Sequence, residues 1–232
     1  MLSARCKHAG GIKMIFPEMK GKRVESALLD QWARSWLKQK GYRRFPNRSP
    51  LLRPDKCQEM IDYFHALCGA DWSYGGYLED RSVIWRGNYL AQSKNYTHLG
   101  VDFNAPIGTA VAIDTRAQVV LVDDDTPLIG GWGNRVMLRV QGQEIVLIYA
   151  HLSAKVLCKL GDTLTPGTVI GYVGDPSQNG FWYPHTHVQA MRMDRYREFK
   201  KKPNELDGYG AEKDLRRLVR DFPNPMSWAR AQ

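Results

Sequence analysis

Residues 135–150 read RVMLRV-QGQ-EIVLIYA. Two aliphatic, β-branched runs flank a three-residue connection with Gly142 at its centre, the pattern of a β-hairpin. The same texture recurs on both sides of it. TAVAI (109–113), AQVVLV (117–122), TVIGYV (168–173) and HTHVQAM (185–191) are further short runs separated by turn residues. Parallel pairing needs a crossover of about a dozen residues or more, and this spacing leaves no room for one. The stretch from about 81 to 195 is therefore expected to be a β-rich domain built on a mainly antiparallel sheet.

The flanks read differently. Val24, Leu28, Trp32 and Trp36 recur every four residues and predict an amphipathic helix over about 22–40, ending near Gly41. After a Pro- and Arg-rich loop (42–54), Cys57, Ile61, Phe64 and Cys68 predict a second helix over 55–68, with Asp55 as N-cap and Gly69 closing it. Their apolar faces are too rich to be left in water, so both helices should pack on the β-domain. Residues 211–220 return to helical texture, and DFPNPMSW (221–228) reads as extended. The expected organisation is a leader (1–21), a helical extension (22–80), the β-domain (81–195) and a helical and extended tail (196–232), α+β overall.

The 232 residues suffice for a substantial core, and no run of about 18 apolar residues suggests a membrane span. A formal charge of +9 favours polyanionic partners, such as an anionic cell-wall polymer, on electrostatic grounds. The basic clusters YRRFPNR (42–48) and REFKKKP (197–203) match no nucleic-acid motif, so no nucleic-acid partner is expected. Cys6, Cys57, Cys68 and Cys158 form no CxxC pair, and Cys57 and Cys68 are three helical turns apart, too far to bond. The leader MLSARCKHAGGIKMIF lacks the apolar core of a secretory signal. A cytoplasmic setting is expected, the alternative being release or delivery to the cell wall by a non-classical route.

Six histidines remain to be placed. His8 lies in the leader and His65 on the second helix, and neither reads as a ligand. In PHTHVQ (184–189), His185 and His187 share one strand face, because residues i and i+2 of a strand point the same way. In HLGVD (98–102), His98 and Asp102 offer nitrogen and oxygen donors suited to zinc. His151 ends a strand in YAHLS (149–153). Four histidines and one aspartate thus converge on a single β-domain as a mononuclear metal site. The residue types alone leave the division of labour among them open.

The segment 95–191 resembles the lysostaphin-type, or LytM-like, zinc metalloendopeptidases. The matching pieces are HLGVDFNAPIGTAVAI, GGWGNRVMLR, YAHLS, KLGDTLTPGTVIGYVGD and PHTHVQ, in the family's order and at similar intervals. The resemblance implies that His98, Asp102 and His187 bind Zn2+, whereas His151 and His185 line the site and handle protons. The physics agrees: a catalytic zinc keeps three protein ligands and an open position for water, and histidine titrates in the range that acid–base work needs. Tyr96 and Tyr183 stand beside these motifs as helpers or as cleft walls.

Two features depart from the usual pattern. HTHV replaces HLHF at non-ligand positions, and the loop GDPSQNGFWYPH (174–185) is longer and more aromatic than the family's short link. Upstream, LEDRSVIWRGNYL resembles a subset of the family without a signal peptide, sometimes fused to metabolic enzyme domains. The resemblance implies hydrolysis of peptide bonds, with peptidoglycan stem or cross-bridge peptides as the habitual substrate. A cytosolic hydrolase of small peptides or amides, or a non-catalytic binding module, are the alternatives.

Overall fold

The computed structural model describes residues 21–42, 49–52, 56–85, 93–124 and 130–229. Cys6, His8, Asp55 and most of the 42–48 basic cluster lie outside them.

The hairpin forms as its sequence dictates. β7 (Asn134–Val140) and β8 (Ile145–Leu152) pair antiparallel, with Gly142 at a φ of 74° in the connection. They belong to an eight-stranded sheet. From one edge it runs β1 (Lys22–Arg23), β2 (Ser73–Gly75), β4 (Val101–Asn104), β11 (His185–Arg192), β8, β7, β6 (Ala117–Asp124), β9 (Thr163–Leu164). Among the described residues, only the β1–β2 pair of this sheet is parallel. Two small antiparallel pairs flank the sheet: β5 (Ala110–Ala112) with β10 (Val169–Tyr172), and β3 (Thr97–His98) with β12 (Tyr209–Gly210).

Both faces of the sheet are covered, which explains why the hairpin reads as continuous apolar runs rather than as an alternation. Val136, Leu138, Leu147 and Tyr149 pack into the core beneath β5 and β10. Met137, Val146, Ile148 and Met191 face the other way, against α4 (Met193–Lys201) and α5 (Leu215–Asp221). No described helix is long and apolar enough to cross a membrane.

The helical extension packs on the sheet domain. α1 (Ser26–Gln39) and α2 (Cys57–Cys68) bury Leu29, Trp36, Ile61 and Phe64 in a cluster that also holds Leu51, Tyr183 and Ile84, the last on the short helix α3 (Ser82–Trp85). Each such side chain contributes about 1.5–3 kcal/mol on burial. The structure corrects the expected stripe on α1: Leu29, Ala33, Trp36 and Leu37 are buried, whereas Leu28 is exposed and Trp32 only half-buried. The helix also starts later than expected, because Lys22–Arg23 extends along β2 instead. α2 ends at Gly69 in the left-handed conformation as expected; its N-cap position is Lys56, with no side-chain cap.

Three boundaries move. The sheet does not begin near 81, since β2 at 73–75 pairs with β4 in its interior. The last helix is Leu215–Asp221, preceded by a 3-10 turn at Glu212–Asp214. DFPNPMSW is not fully extended: Asn224 caps a 3-10 turn over Pro225–Ser227. The cluster at 197–203 falls mostly on α4, where Arg197, Lys200 and Lys201 are exposed.

Candidate metal centre

β11 lies between β4 and β8, with His187 opposite Asp102 on one side and Ala150 on the other. His185, His187 and Gln189 point to the face that carries Met191, away from the core of Val188 and Ala190. Asp102 points the same way, between the core residues Val101 and Phe103. His98 arrives from β3.

His151 reaches this face by an irregularity. Strict alternation along β8 would send it with Leu147 and Tyr149 into the opposite core. Between Leu152 and Tyr149, however, the register against β7 shifts, with three residues of β8 spanning two of β7. His151 takes a φ of 64° there, and the bulge turns its ring toward His185, with ring centroids 4.5 Å apart.

Each imidazole is oriented by an oxygen that can only accept, so the nitrogen facing that oxygen must carry the proton. His98 Nδ1–H donates to Gly76 O at 3.0 Å, leaving the Nε2 lone pair free. His187 Nε2–H donates to Gln189 Oε1 at 3.0 Å, leaving Nδ1 free. His151 Nδ1–H donates to Asn179 O at 2.8 Å, and His185 Nδ1–H to Tyr183 O at 2.7 Å, so both keep a free Nε2.

His98 Nε2, His187 Nδ1 and Asp102 Oδ1 then converge. Their separations are 3.0 Å between the two nitrogens and 3.4 and 2.9 Å from each to the oxygen. Ligands at about 2.0–2.1 Å from a tetrahedral zinc stand about 3.3–3.4 Å apart. Three lone pairs facing one another with no proton to share are the environment of a cation, and the donor set fits zinc. Among the described residues, these three form the metal-capable group of His, Cys, Asp and Glu.

The electrostatics keep the donors ready. Burial, and then the neighbouring Arg81, lower the His98 pKa to about 4. Burial would raise Asp102, but Arg81 and the surrounding histidines outweigh it and hold the carboxyl well below the usual range. Burial also lowers His185, and lowers His151 well below 6.5. Near neutrality, His98, His151 and His185 are therefore neutral and Asp102 is ionised.

The second layer was not foreseen from the sequence. Arg81 Nη1 donates to Asp102 Oδ2, and Arg81 Nε to Glu79 Oε2 at 3.0 Å. Gln189 is fully buried and passes its amide N–H on to Asp207 O at 3.4 Å. Asn179, also fully buried, ties the 174–184 loop together by donating to Gly174 O and Trp182 O. Gly100 in HLGVD is a matter of space: a Cβ there would lie 2.5 Å from His187 Cε1. The one available signal was the pair Glu79 and Arg81, opposite charges two apart on one side of an extended segment.

Trp182 and Tyr183 of the long loop wall the cleft, joined by Trp132, Ile84 and the strap Asp207–Tyr209. Tyr183 stacks on His185 with centroids 4.5 Å apart. Tyr96 instead packs into the cluster of Trp85, Trp182 and Tyr209. His65 lies elsewhere, its Nε2 3.3 Å from Ser73 Oγ.

Among solved structures, the chain is similar to the catalytic domain of the antimicrobial peptidase lysostaphin from Staphylococcus simulans. The identity is 28%, over 53% of this chain and 80% of that one, with a TM-score of 0.38. A mutant catalytic domain of the prophage-encoded M23 protein EnpA from Enterococcus faecalis is 26% identical, over 41% of this chain and 68% of that one, with a TM-score of 0.36. A zinc-containing peptidase from Vibrio cholerae is 27% identical over 43% of this chain and 28% of its own length, with a TM-score of 0.36. No curated protein matches the chain. Residues 96–199, which hold all five candidate site residues, match the sequence model of peptidase family M23.

Proposed function

We propose that the chain is a zinc-dependent endopeptidase, that His98, Asp102 and His187 hold the zinc, and that His151 and His185 carry protons. One observation carries the reading: three lone pairs converge on one point while two further histidines beside it keep an unprotonated Nε2. Zinc bound there would supply a water acidified to a pKa of about 7 and a Lewis acid for the scissile carbonyl.

The chain's own residues supply the rest. His185 Nε2 stands 3.7 Å from Asp102 Oδ1, next to the donor centre, and is placed to take a proton from the attacking water. His151, whose ring centroid lies 4.5 Å from that of His185, is placed to return a proton from Nε2 to the departing amine. Their carbonyl partners, Tyr183 O and Asn179 O, stabilise the N–H that each ring keeps while its other nitrogen is charged. The cleft walls of Trp132, Trp182 and Tyr183 exclude water, and the glycines 130, 131 and 208 between them suit an extended chain of small residues.

That cleft and the formal charge of +9 support peptides of the peptidoglycan stem or cross-bridge as substrate. The test is a mass-resolved assay on intact sacculi, soluble muropeptides and unrelated glycine-rich peptides, at two salt concentrations, with and without chelator. Chelator-sensitive cleavage of wall peptides, weakening as salt rises, is expected. Cleavage of unrelated peptides alone would shift the reading to a general small-peptide hydrolase. Zinc bound with no cleavage of any substrate would leave a binding module.

A further inference from the structure

We propose that Glu79 and Arg81 form a positioning relay that ties the N-terminus of α1 to Asp102, making the helical extension part of the metal centre. The relay deepens the ligand reading above and rests on it.

It begins at the helix. The first turn of a helix leaves backbone N–H groups without partners. At α1 the N-cap residue Glu25 makes no side-chain cap. Glu79 does that work from 53 residues away: its Oε1 accepts from Ser26 N–H at 2.5 Å. The other oxygen of Glu79 accepts from Arg81 Nε at 3.0 Å, and Arg81 Nη1 donates to Asp102 Oδ2. Arg81 is 3% exposed, so this charge is shared among its two carboxylates and not with water.

The consequence for Asp102 is an inequality between its two oxygens. Oδ2 is taken by Arg81, so Oδ1 alone faces His98 Nε2 and His187 Nδ1. The carboxylate cannot turn to offer both oxygens or neither. The backbone fixes the relay as firmly. Leu78 N–H donates to His98 O at 2.8 Å, His98 N–H to Glu79 O at 2.9 Å, and Arg81 N–H to Tyr96 O at 2.9 Å. The segment that carries the relay is thus zipped to the strand that carries the first ligand. A lysine at 81 would keep the charge but has no planar fork with which to grip both carboxylates.

The test uses the full chain and two variants. Arg81→Lys removes the fork. Ser26→Pro removes the N–H that holds Glu79, at a first helical position where proline is favoured, and Glu25 at φ −82°, ψ 148° already has the extended conformation a residue before proline requires. Zinc affinity is measured by chelator competition, site geometry by the absorption spectrum of the cobalt-loaded protein, and folding by melting of the metal-free chain.

Arg81→Lys is expected to fold and to bind zinc about 10–100-fold more weakly, as loss of an outer partner of a metal ligand typically does. Ser26→Pro should show a smaller loss in the same direction, and both should alter the cobalt spectrum. If Arg81→Lys does not fold, Ser26→Pro decides alone. Wild-type zinc affinity and an unchanged cobalt spectrum in the folded variants would overturn the relay. His187→Ala separates the two readings: if it binds zinc as well as the wild type, the ligand assignment itself has failed.

Discussion

Replacing Gly100 by alanine places a methyl group where the His187 ring now lies. The added Cβ would stand 2.5 Å from His187 Cε1, 2.6 Å from its Nε2 and 2.6 Å from Val188 O. Ordinary contact begins at 3.4 Å, so the ring must retreat by about 0.9 Å, against a tolerance of about 0.2 Å in metal–ligand distance. The backbone cannot yield in its place, because Val188 is paired to Val101 on one side and Tyr149 on the other. Overpacking of this kind costs about 1–3 kcal/mol, which for a chain of this size lowers the melting temperature by about 2–12 °C. On the proposed ligand set the larger effect is on the metal: His187 would leave the donor group, and two ligands would remain. Far-ultraviolet dichroism and melting of the metal-free variant, with zinc stoichiometry after dialysis, measure the two effects separately. A Gly100→Ala protein that folds and keeps one zinc per chain at wild-type affinity would refute the argument.

Three further outcomes are expected. His187→Ala should lose most of its zinc, whereas His185→Ala and His151→Ala should keep it and lose about 10²–10⁴-fold in peptide hydrolysis; equal zinc loss in all three would show the roles are misassigned. Burial raises Asp114 from 3.8 to about 7, outweighing a hydrogen bond from its own backbone that works the other way. The folded state therefore binds its proton more tightly than the unfolded chain, and stability is lost as pH rises from about 4 to 7. Asp114→Asn, which cannot ionise, should gain in melting temperature over the wild type across that window and hold the gain at pH 8; a pH-independent difference would contradict this. A chain starting near residue 78 should melt well below the full chain, because it strips α1, α2 and β2 from a shared core; equal melting and activity would show that the extension is dispensable.

The elements legible in the sequence are those whose own burial pattern is strong. β6, β7, β8 and β11 are runs of seven or eight residues, long enough for their apolar content to stand out. α2 carries both a periodic face and a glycine stop. β1, β2, β3 and β12 are two or three residues long and exist because a partner strand is present, so no local pattern announces them. The four-residue spacing on α1 marked a stripe one step aside of the buried one, since Ala33 packs inward unnoticed while Leu28 stays wet. At the site, histidines and an aspartate stand out by their chemistry. Arg81, Gln189 and Asn179 did not, because an ordinary polar residue shows its role only when the acceptor it faces is known. His151 was legible as a residue but not as a direction: only the bulge in β8 reveals which face it serves.

The separation of the donors along the chain also sets a timetable. His98 and His187 are 89 residues apart, which at a ribosomal pace of about 5–20 residues per second is about 4–18 s of synthesis. During that interval β4 has β2 on one flank and nothing on the other, because β11 has yet to be made. Until then Asp102 lacks His187 and the peptide groups on that side of β4 lack their strand partner. When β11 arrives it closes the gap between β4 and β8 and delivers His187 and His185 in one movement. On the proposed ligand set, the donor group is incomplete until the sheet is shut, so zinc would enter as a late event of maturation rather than serve as a template for early folding.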